Sequence, residues 1–127
     1  MTKNQPTLPN EIGLYKEITT LDMLLDDYVQ KFSTNRRRDL GCQITDQCLI
    51  LIKYCCLAWR VPDKRIEYLR EFEAEYTVLD YLIRKCHHPS IKQLSDEQYL
   101  ECAKIQANIS RQLSGWIIKT RKNPDEE

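Results

Sequence analysis

The chain has little glycine and little proline. Only three glycines and five prolines occur in 127 residues, and most of them lie outside the segments with a regular apolar pattern. A β fold rich in turns needs more of both residues, so this composition favours helices. The chain also lacks an excess of charge of either sign, because 19 basic side chains are matched by 19 acidic ones. Net charge therefore indicates no partner, and only the distribution of charge along the chain can do so.

The chain also lacks a long hydrophobic run. The longest, residues 48–59, contains Lys53 and is about half as long as a transmembrane helix requires. Residues 1–10 are polar and hold two prolines, which predicts a flexible tail rather than a secretory signal. Residues 123–127 are expected to be a frayed polar tail. The chain is thus predicted to be cytoplasmic, with one domain at residues 11–122 and no membrane partner.

Motifs that carry chemistry are missing as well. The sequence has no phosphate loop, no G-x-S-x-G and no H-E-x-x-H. A di-iron bundle would need Glu-x-x-His, but Arg84 and Lys85 stand three residues before His87 and His88. Cys86 beside those histidines is the only cluster that hints at a metal, and it is a weak one. We expect no catalytic residue, no metal and no cofactor, and therefore a binding protein rather than an enzyme.

The cysteines form no C-x-x-C pair. Several of the six fall on apolar helix faces, where a free cysteine behaves as a small hydrophobic residue. We therefore expect reduced core thiols rather than disulfides or zinc ligands. They are Cys42, Cys48, Cys55, Cys56, Cys86 and Cys102.

What the sequence does have is helical periodicity. Apolar residues recur every three or four positions over residues 14–33, 38–60, 63–86 and 96–122, which is typical of amphipathic helices. Ser95 and Gln98 have the spacing of a capping box at the start of the last helix. Short connections make consecutive helices antiparallel. The prediction is an all-α, up-down-up-down antiparallel four-helix bundle.

The second predicted helix is apolar on nearly every side in its second half. A helix of that kind must be covered all round, which three neighbours in a small bundle rarely achieve. The pattern therefore favours a subunit contact and an oligomeric ring. The alternative is a central helix wrapped by its own chain. The predicted interface residues are Leu49, Ile50, Tyr54, Leu57 and Trp116.

A glycine interrupts the last helix. Gly115 stands within Leu113-Ser114-Gly115-Trp116, and a glycine inside a helix costs about 1 kcal/mol relative to alanine. Such a residue needs a packing reason. We expect the close approach of another backbone, with Trp116 filling the space beside it.

Basic residues are expected at both ends of the bundle. If the helices alternate in direction, the first and third connections share one end, and the second connection lies with the end of the last helix at the other. Clustered Lys and Arg attract phosphates whatever the net charge, although cations near a helix C-terminus also have an ordinary structural role. One end would collect Arg36, Arg37, Arg38, Arg84, Lys85, His87, His88 and Lys92, and the other Arg60, Lys64, Arg65, Lys119, Arg121 and Lys122.

Together these residues resemble a known family. Residues 111–117 (Arg-Gln-Leu-Ser-Gly-Trp-Ile), the basic residues that follow them, residues 78–84 (Val-Leu-Asp-Tyr-Leu-Ile-Arg) and the arginines at 36–38 are similar to the accessory variability determinant (Avd) proteins of diversity-generating retroelements. The resemblance runs through most of residues 14–122. The chain departs from the family pattern in its neutral charge and at Asp80, where an arginine is expected.

The resemblance implies a non-catalytic four-helix bundle that assembles as a homopentameric ring. Family members bind the reverse transcriptase of the element and its template RNA, and they support the mutagenic synthesis of cDNA, which is a further candidate ligand. Basic surface positions are implied to contact nucleic acid. Carried over to this chain with their neighbour Lys85, these are Arg36, Arg37, Arg38, Arg84, Lys85, Arg111, Lys119, Arg121 and Lys122.

A second family is the alternative. Four-helix proteins encoded in intervening sequences of 23S rRNA genes also form pentamers. Their second-helix pattern, which ends in Asn-Ile-Ala-Glu-Gly, is absent here. Under this alternative the chain would be a structural, self-associating bundle without a nucleic-acid role.

Overall fold

Four helices pack around one apolar core in the computed structural model, which describes residues 12–122. They are α1 (Gly13–Val29), α2 (Thr34–Arg60), α3 (Arg65–His87) and α4 (Asp96–Lys122). Helices α1 and α3 each pack against both α2 and α4. The prediction of an all-helical fold with four helices is confirmed for this part of the chain, which contains no strand. The predicted tails at residues 1–10 and 123–127 lie outside the described residues.

The corner between α1 and α2 differs from the prediction. Helix α1 ends at Val29 rather than at residue 33, and α2 begins at Thr34 rather than at residue 38. Phe32, which falls within the first predicted helix, is instead buried from the turn between α1 and α2. The segment Arg37–Gly41 is π-helical, which widens one turn of α2.

Gly41 explains how α2 passes so close to the end of α1. A Cβ atom built on Gly41 would lie 2.7 Å from the Cγ1 atom of Val29, well inside van der Waals contact. Val29 is itself buried and β-branched, so its side chain has little freedom to move away. The absence of a side chain at Gly41 therefore permits this helix contact.

The corner between α2 and α3 is organised by a buried arginine. After the 3-10 turn Pro62–Lys64, the Nε atom of Arg65 donates to the carbonyl of Ala58 at 2.7 Å and its Nη2 atom donates to the carbonyl of Trp59 at 3.2 Å. The guanidinium carbon lies 5.2 Å from the ring centroid of Trp116 on α4. Arg65 therefore caps α2 and joins three helices, so its placement in a solvent-facing basic end was wrong.

The start of α4 confirms the predicted capping box. The backbone N–H of Gln98 donates to Ser95 Oγ at 3.1 Å, and the N–H of Ser95 donates to Gln98 Oε1 at 2.9 Å. In the preceding loop, Gln93 Oε1 accepts a hydrogen bond of 2.9 Å from the backbone N–H of Ser33. This bond joins the α3–α4 loop to the α1–α2 corner.

The core contains the apolar seams of all four helices. Phe72 is its largest fully buried side chain, and leucine and isoleucine supply most of the rest. Cys48, Cys55, Cys86 and Cys102 are buried among them as free thiols. Their small volume lets neighbouring helices approach closely.

Gly115 does not have the neighbour that the sequence predicted. It is exposed on α4, and a Cβ atom built there would meet nothing within 4 Å among the described residues. The expected approach of another backbone is therefore wrong within this chain. A close helix contact is found at Gly41 instead, where the neighbour is the side chain of Val29 rather than a backbone.

The two glycines provide a matched pair of substitutions. We expect Gly41→Ala to lower the free energy of unfolding by about 1 kcal/mol, because overpacking against Val29 outweighs the gain in helix propensity. Gly115→Ala gains the propensity without a clash and should raise it by about 1 kcal/mol. Urea unfolding of both variants measures the difference, and a stabilised Gly41→Ala would contradict the proposed contact.

Candidate self-association and nucleic-acid surfaces

The outer face of α2 carries one large apolar side chain, Leu49, that its own chain leaves uncovered. This face consists of residues spaced by three or four positions: Cys42, Asp46, Leu49, Lys53, Cys56 and Arg60. Leu49, at its centre, is 58% exposed. Ile50 and Leu57 lie beside the face and are half-buried. The apolar part of this face is therefore Leu49 together with its half-buried neighbours, between the charged Asp46 and Lys53.

Helix α2 differs from the other helices in its apolar composition. An 18-residue window within Thr34–Arg60 has a mean hydropathy of 1.2, enough to meet the criteria for a membrane-spanning helix. Core helices of globular proteins meet the same criteria. Only 39% of that window is buried within the chain. Among the exposed residues of this helix, Leu49 is the one large apolar side chain.

Two of the predicted interface residues are partly covered by their own chain. The Tyr54 ring lies 6.4 Å from the ring of Tyr68 on α3, and Lys53 Nζ lies 5.3 Å from the Tyr54 centroid. Trp116 packs against the core and against Arg65. Leu49 consequently offers the most free apolar surface among the five predicted interface residues, whose role in assembly stays a prediction.

The candidate nucleic-acid residues at the start of α2 lie near the end of α3. Arg36 Nη1 lies 3.6 Å from Asp39 Oδ2, and Arg37 Nη1 donates to the carbonyl of Gln30 at 3.2 Å. Arg38 is exposed. Lys85 Nζ lies 6.0 Å from the ring centroid of Tyr81. We call Arg36, Arg37, Arg38 and Lys85 the first basic group.

Cys86 lies where the start of α2 and the end of α3 come close together. Burial raises its pKa to about 11, while the positive charges of Lys85 and Arg36 act in the opposite direction. A buried thiol that is neutral near pH 7 is a poor nucleophile. Cys86 is accordingly part of the apolar core, where its side chain is fully buried.

Arg84 is held by a carboxylate on its own helix. Its Nε atom donates to Asp80 Oδ2 at 2.7 Å, and this hydrogen bond raises the pKa of the guanidinium further. Asp80 Oδ1 accepts a second hydrogen bond of 2.8 Å from Gln106 on α4. Asp80 thus neutralises the local charge of Arg84 and joins α3 to α4.

The remaining candidates lie along α4. Arg111 donates to the Asn108 side chain and is exposed in the middle of the helix. Lys119, Arg121 and Lys122 are exposed at its end, and we call them the second basic group. No acidic residue follows Glu101 on α4. The second basic group is roughly 35 Å along α4 from the first turn of that helix, so the nine candidates do not form one continuous patch.

The histidine cluster is engaged in packing. His87 Nε2 lies 2.7 Å from Asp96 Oδ1, and its ring stacks on Tyr99 with centroids 4.1 Å apart. Within residues 12–122, no group of three His, Cys, Asp or Glu side chains is placed to hold a metal ion. His87 instead fastens the end of α3 to the start of α4.

The structure also contains a groove that the sequence interpretation missed. It lies between α3 and α4, has a volume of about 390 Å³, and includes Tyr76, Thr77, Ala103, Ala107 and Ser110 in its lining. The Tyr76 hydroxyl donates to the carbonyl of Gln106 at 3.1 Å beneath it. The signal for the groove was the run of small residues at positions 103, 107, 110 and 114, which repeats at helical spacing.

Comparison of the chain with protein-family models, with curated proteins and with solved structures found no match. The resemblance to Avd proteins therefore remains a prediction from residues 36–38, 78–84 and 111–122.

The buried thiols predict a loss of stability at alkaline pH. Burial raises the pKa of Cys55 and of Cys102 from 9.0 to about 12. Above pH 9 the unfolded chain loses these protons while the folded chain retains them, so the free energy of unfolding falls as pH rises toward 12. Each such thiol contributes a slope on the order of 1 kcal/mol per pH unit. Urea unfolding between pH 8 and pH 10.5 measures it.

Two cysteine variants separate burial from other alkaline effects. Cys55→Ala should flatten the pH dependence, although it lowers stability at every pH. Cys42→Ala, at an exposed position, should leave the slope unchanged. Equal slopes for the two variants and the wild type would show that buried thiols are not the cause.

Proposed function

We propose that the chain is a self-associating antiparallel four-helix bundle that acts as a non-catalytic accessory subunit of a mutagenic reverse transcriptase. The up-down-up-down order is supported by pairs of contacts in which residue numbers rise along one helix and fall along its neighbour. Between α2 and α3, Gln47 meets Glu75 and Tyr54 meets Tyr68. Between α3 and α4, Tyr76 meets Gln106 and His87 meets Tyr99, and between α1 and α4, Gly13 lies beside Gln112 and Glu17 meets Asn108. The antiparallel arrangement places the basic groups at opposite ends.

The observation that carries the proposal is the exposure of Leu49 on the outer face of α2. Removing a leucine side chain from water contributes about 1.5–3 kcal/mol, and a second copy of the chain is the partner that is always present. We infer a closed ring, and the resemblance to Avd proteins makes it a pentamer. Repeated copies would present each basic group several times around the ring.

The nucleic-acid part of the proposal rests on the first basic group. Arg36, Arg37 and Arg38 lie at the start of α2, where the helix dipole disfavours cations. A favourable interaction with the helix dipole therefore does not explain these three arginines, whereas contacts with phosphate groups would. The proposed ligands are the template RNA and its cDNA product, held beside the polymerase.

A purely structural role is the second candidate. The ion pairs of Arg36 with Asp39 and of Arg84 with Asp80 favour it, because they reduce the positive charge offered to a phosphate. In this case the chain self-associates in the manner of the intervening-sequence proteins and binds no nucleic acid.

Native mass tests self-association. The wild type should form a particle several times the mass of the 15.1 kDa chain at micromolar concentration. Leu49→Lys should weaken association by about 10- to 100-fold, as expected for loss of one buried leucine. Met23→Lys is the matched control, since Met23 is 68% exposed on α1. A monomeric wild type would overturn the ring.

Binding across a salt series tests the nucleic-acid role. We expect the triple variant Arg36→Gln, Arg37→Gln, Arg38→Gln to reduce the dependence of log affinity on log salt by about 0.7 for each lost contact to single-stranded RNA. Fluorescence anisotropy with the template RNA measures it. The matched control replaces the exposed Lys16, Lys31 and Arg70 with glutamine and should change the slope less.

The same variants test the polymerase contact. Tagged reverse transcriptase of the same element, co-expressed with the chain, should retain the wild type at low salt and retain the arginine variant less. An unchanged salt slope together with no retention of the wild type would favour the structural candidate.

A further inference from the structure

We propose that Lys92, in the loop between α3 and α4, is a phosphate-binding residue of the nucleic-acid surface at this end of the bundle. The inference rests on the proposed function, because it adds a cation to the first basic group and gives that cation a nucleic-acid phosphate as its ligand. Lys92 is not among the candidate residues that the resemblance indicated. The observation that singles it out is the conformation of its backbone.

Lys92 has a backbone conformation that a lysine rarely adopts. Its φ is 55°, and no other residue within residues 12–122 has a positive φ. In this left-handed region the Cβ atom lies too close to the following carbonyl oxygen, so glycine is favoured and asparagine is tolerated. A lysine at this position therefore costs stability that a glycine would not cost.

Hydrogen bonds on both sides hold Lys92 in this conformation. Its N–H donates to the carbonyl of His88 at 2.9 Å, which closes a helical turn just after the end of α3. The next residue, Gln93, donates from its backbone N–H to the carbonyl of Cys86 at 2.8 Å, and its side chain accepts from the N–H of Ser33 at 2.9 Å. A left-handed residue that follows a helical turn is commonly a glycine. The loop thus determines the backbone conformation without explaining the choice of lysine.

The side chain of Lys92 does not explain that choice by packing. It is exposed, and it forms no hydrogen bond or ion pair with the residues that the structure describes, whereas Arg36 and Arg84 are each paired with an aspartate. Asp96 lines the same surface depression of about 570 Å³, but its Oδ1 atom lies 2.7 Å from His87 Nε2. What the lysine adds is therefore a positive charge at the surface. Backbone strain that persists without a packing reason is typical of functional positions.

The loop brings this charge to the first basic group. The side chain of Gln93 contacts Ser33, which immediately precedes α2 and is about one helical turn from Arg36. Burial raises the pKa of the Cys86 thiol, but the nearby charges of Lys85 and Arg36 lower it. The start of α2, the end of α3 and the loop therefore meet at this end, and each contributes at least one cation. Each added cation that meets a phosphate strengthens binding and its salt dependence.

Substitutions of Lys92 separate its charge from its backbone strain. Lys92→Gly removes both, so the melting temperature should rise by about 3 °C while RNA binding weakens. For one lost contact to single-stranded RNA, the slope of log affinity against log salt should fall by about 0.7, which is about fivefold weaker binding at 0.1 M salt. Lys92→Arg keeps the charge and the strain and should bind and melt like the wild type. Circular dichroism measures melting, and fluorescence anisotropy with a labelled single-stranded RNA of mixed sequence measures binding.

The matched control removes one exposed lysine from the side of the bundle. Lys104→Gln, on α4, should change the slope less than Lys92→Gly does. Equal slopes for these two variants would overturn the inference, as would RNA binding by Lys92→Arg that is as weak as binding by Lys92→Gly. A Lys92→Gly variant that melts below the wild type would show that the lysine stabilises the loop, and the inference would also be wrong.

The same measurements distinguish this inference from the proposed function. If Lys92→Gly keeps the wild-type slope while the triple arginine variant lowers it, Lys92 is not a phosphate contact, but the nucleic-acid role of the first basic group stands. A wild type that binds no RNA at low salt overturns both.

Discussion

The structure depends on how much of the surface of α2 is covered by neighbouring helices. This helix packs against α1 and α3, and two neighbours leave much of its circumference facing outward. Most helices meet this constraint by placing charged residues on the outside. Helix α2 places Asp46, Lys53 and Arg60 there, but Leu49 interrupts these charges and Ile50 and Leu57 lie at the border. Apolar surface gains about 25 cal/mol for each Å² removed from water, and covering Leu49 would therefore favour the self-association that we propose.

Although the chain has no net charge, its acidic and basic residues are unevenly distributed over the structure. Asp39 and Asp80 lie beside Arg36 and Arg84, while Glu101 is followed by a stretch of α4 whose charged residues are all basic. Ion pairs between exposed groups contribute little to stability, about 0–1 kcal/mol each. Their larger effect is on the positive electrostatic potential that attracts a polyanion. The ion pair weakens this potential near Arg84, whereas no acidic residue of α4 weakens it near Lys119.

Helical periodicity predicted the fold because burial repeats every three or four residues, and the capping box marked the start of α4 because its two hydrogen bonds are local. Other features depend on contacts between distant segments. The early start of α2 follows from a π-helical turn that lets Gly41 meet Val29. Arg65 was expected in solvent because its partners, Trp116 and the last carbonyls of α2, become neighbours only after folding. The candidate basic residues and their division between two ends were predicted from the order of the helices. The groove was not predicted, because the distance between two neighbouring helices is not encoded in the residue spacing of either one.

The lateral position of the outer face of α2 connects the proposed self-association to the proposed nucleic-acid binding. This face lies on the side of the bundle, so association through it would leave the ends of every copy open to solvent. The first basic group is at one end and the second basic group at the other. Each copy added to a ring therefore repeats both groups without burying either. A neutral chain can in this way present two cationic rims whose attraction for phosphate grows with the number of subunits.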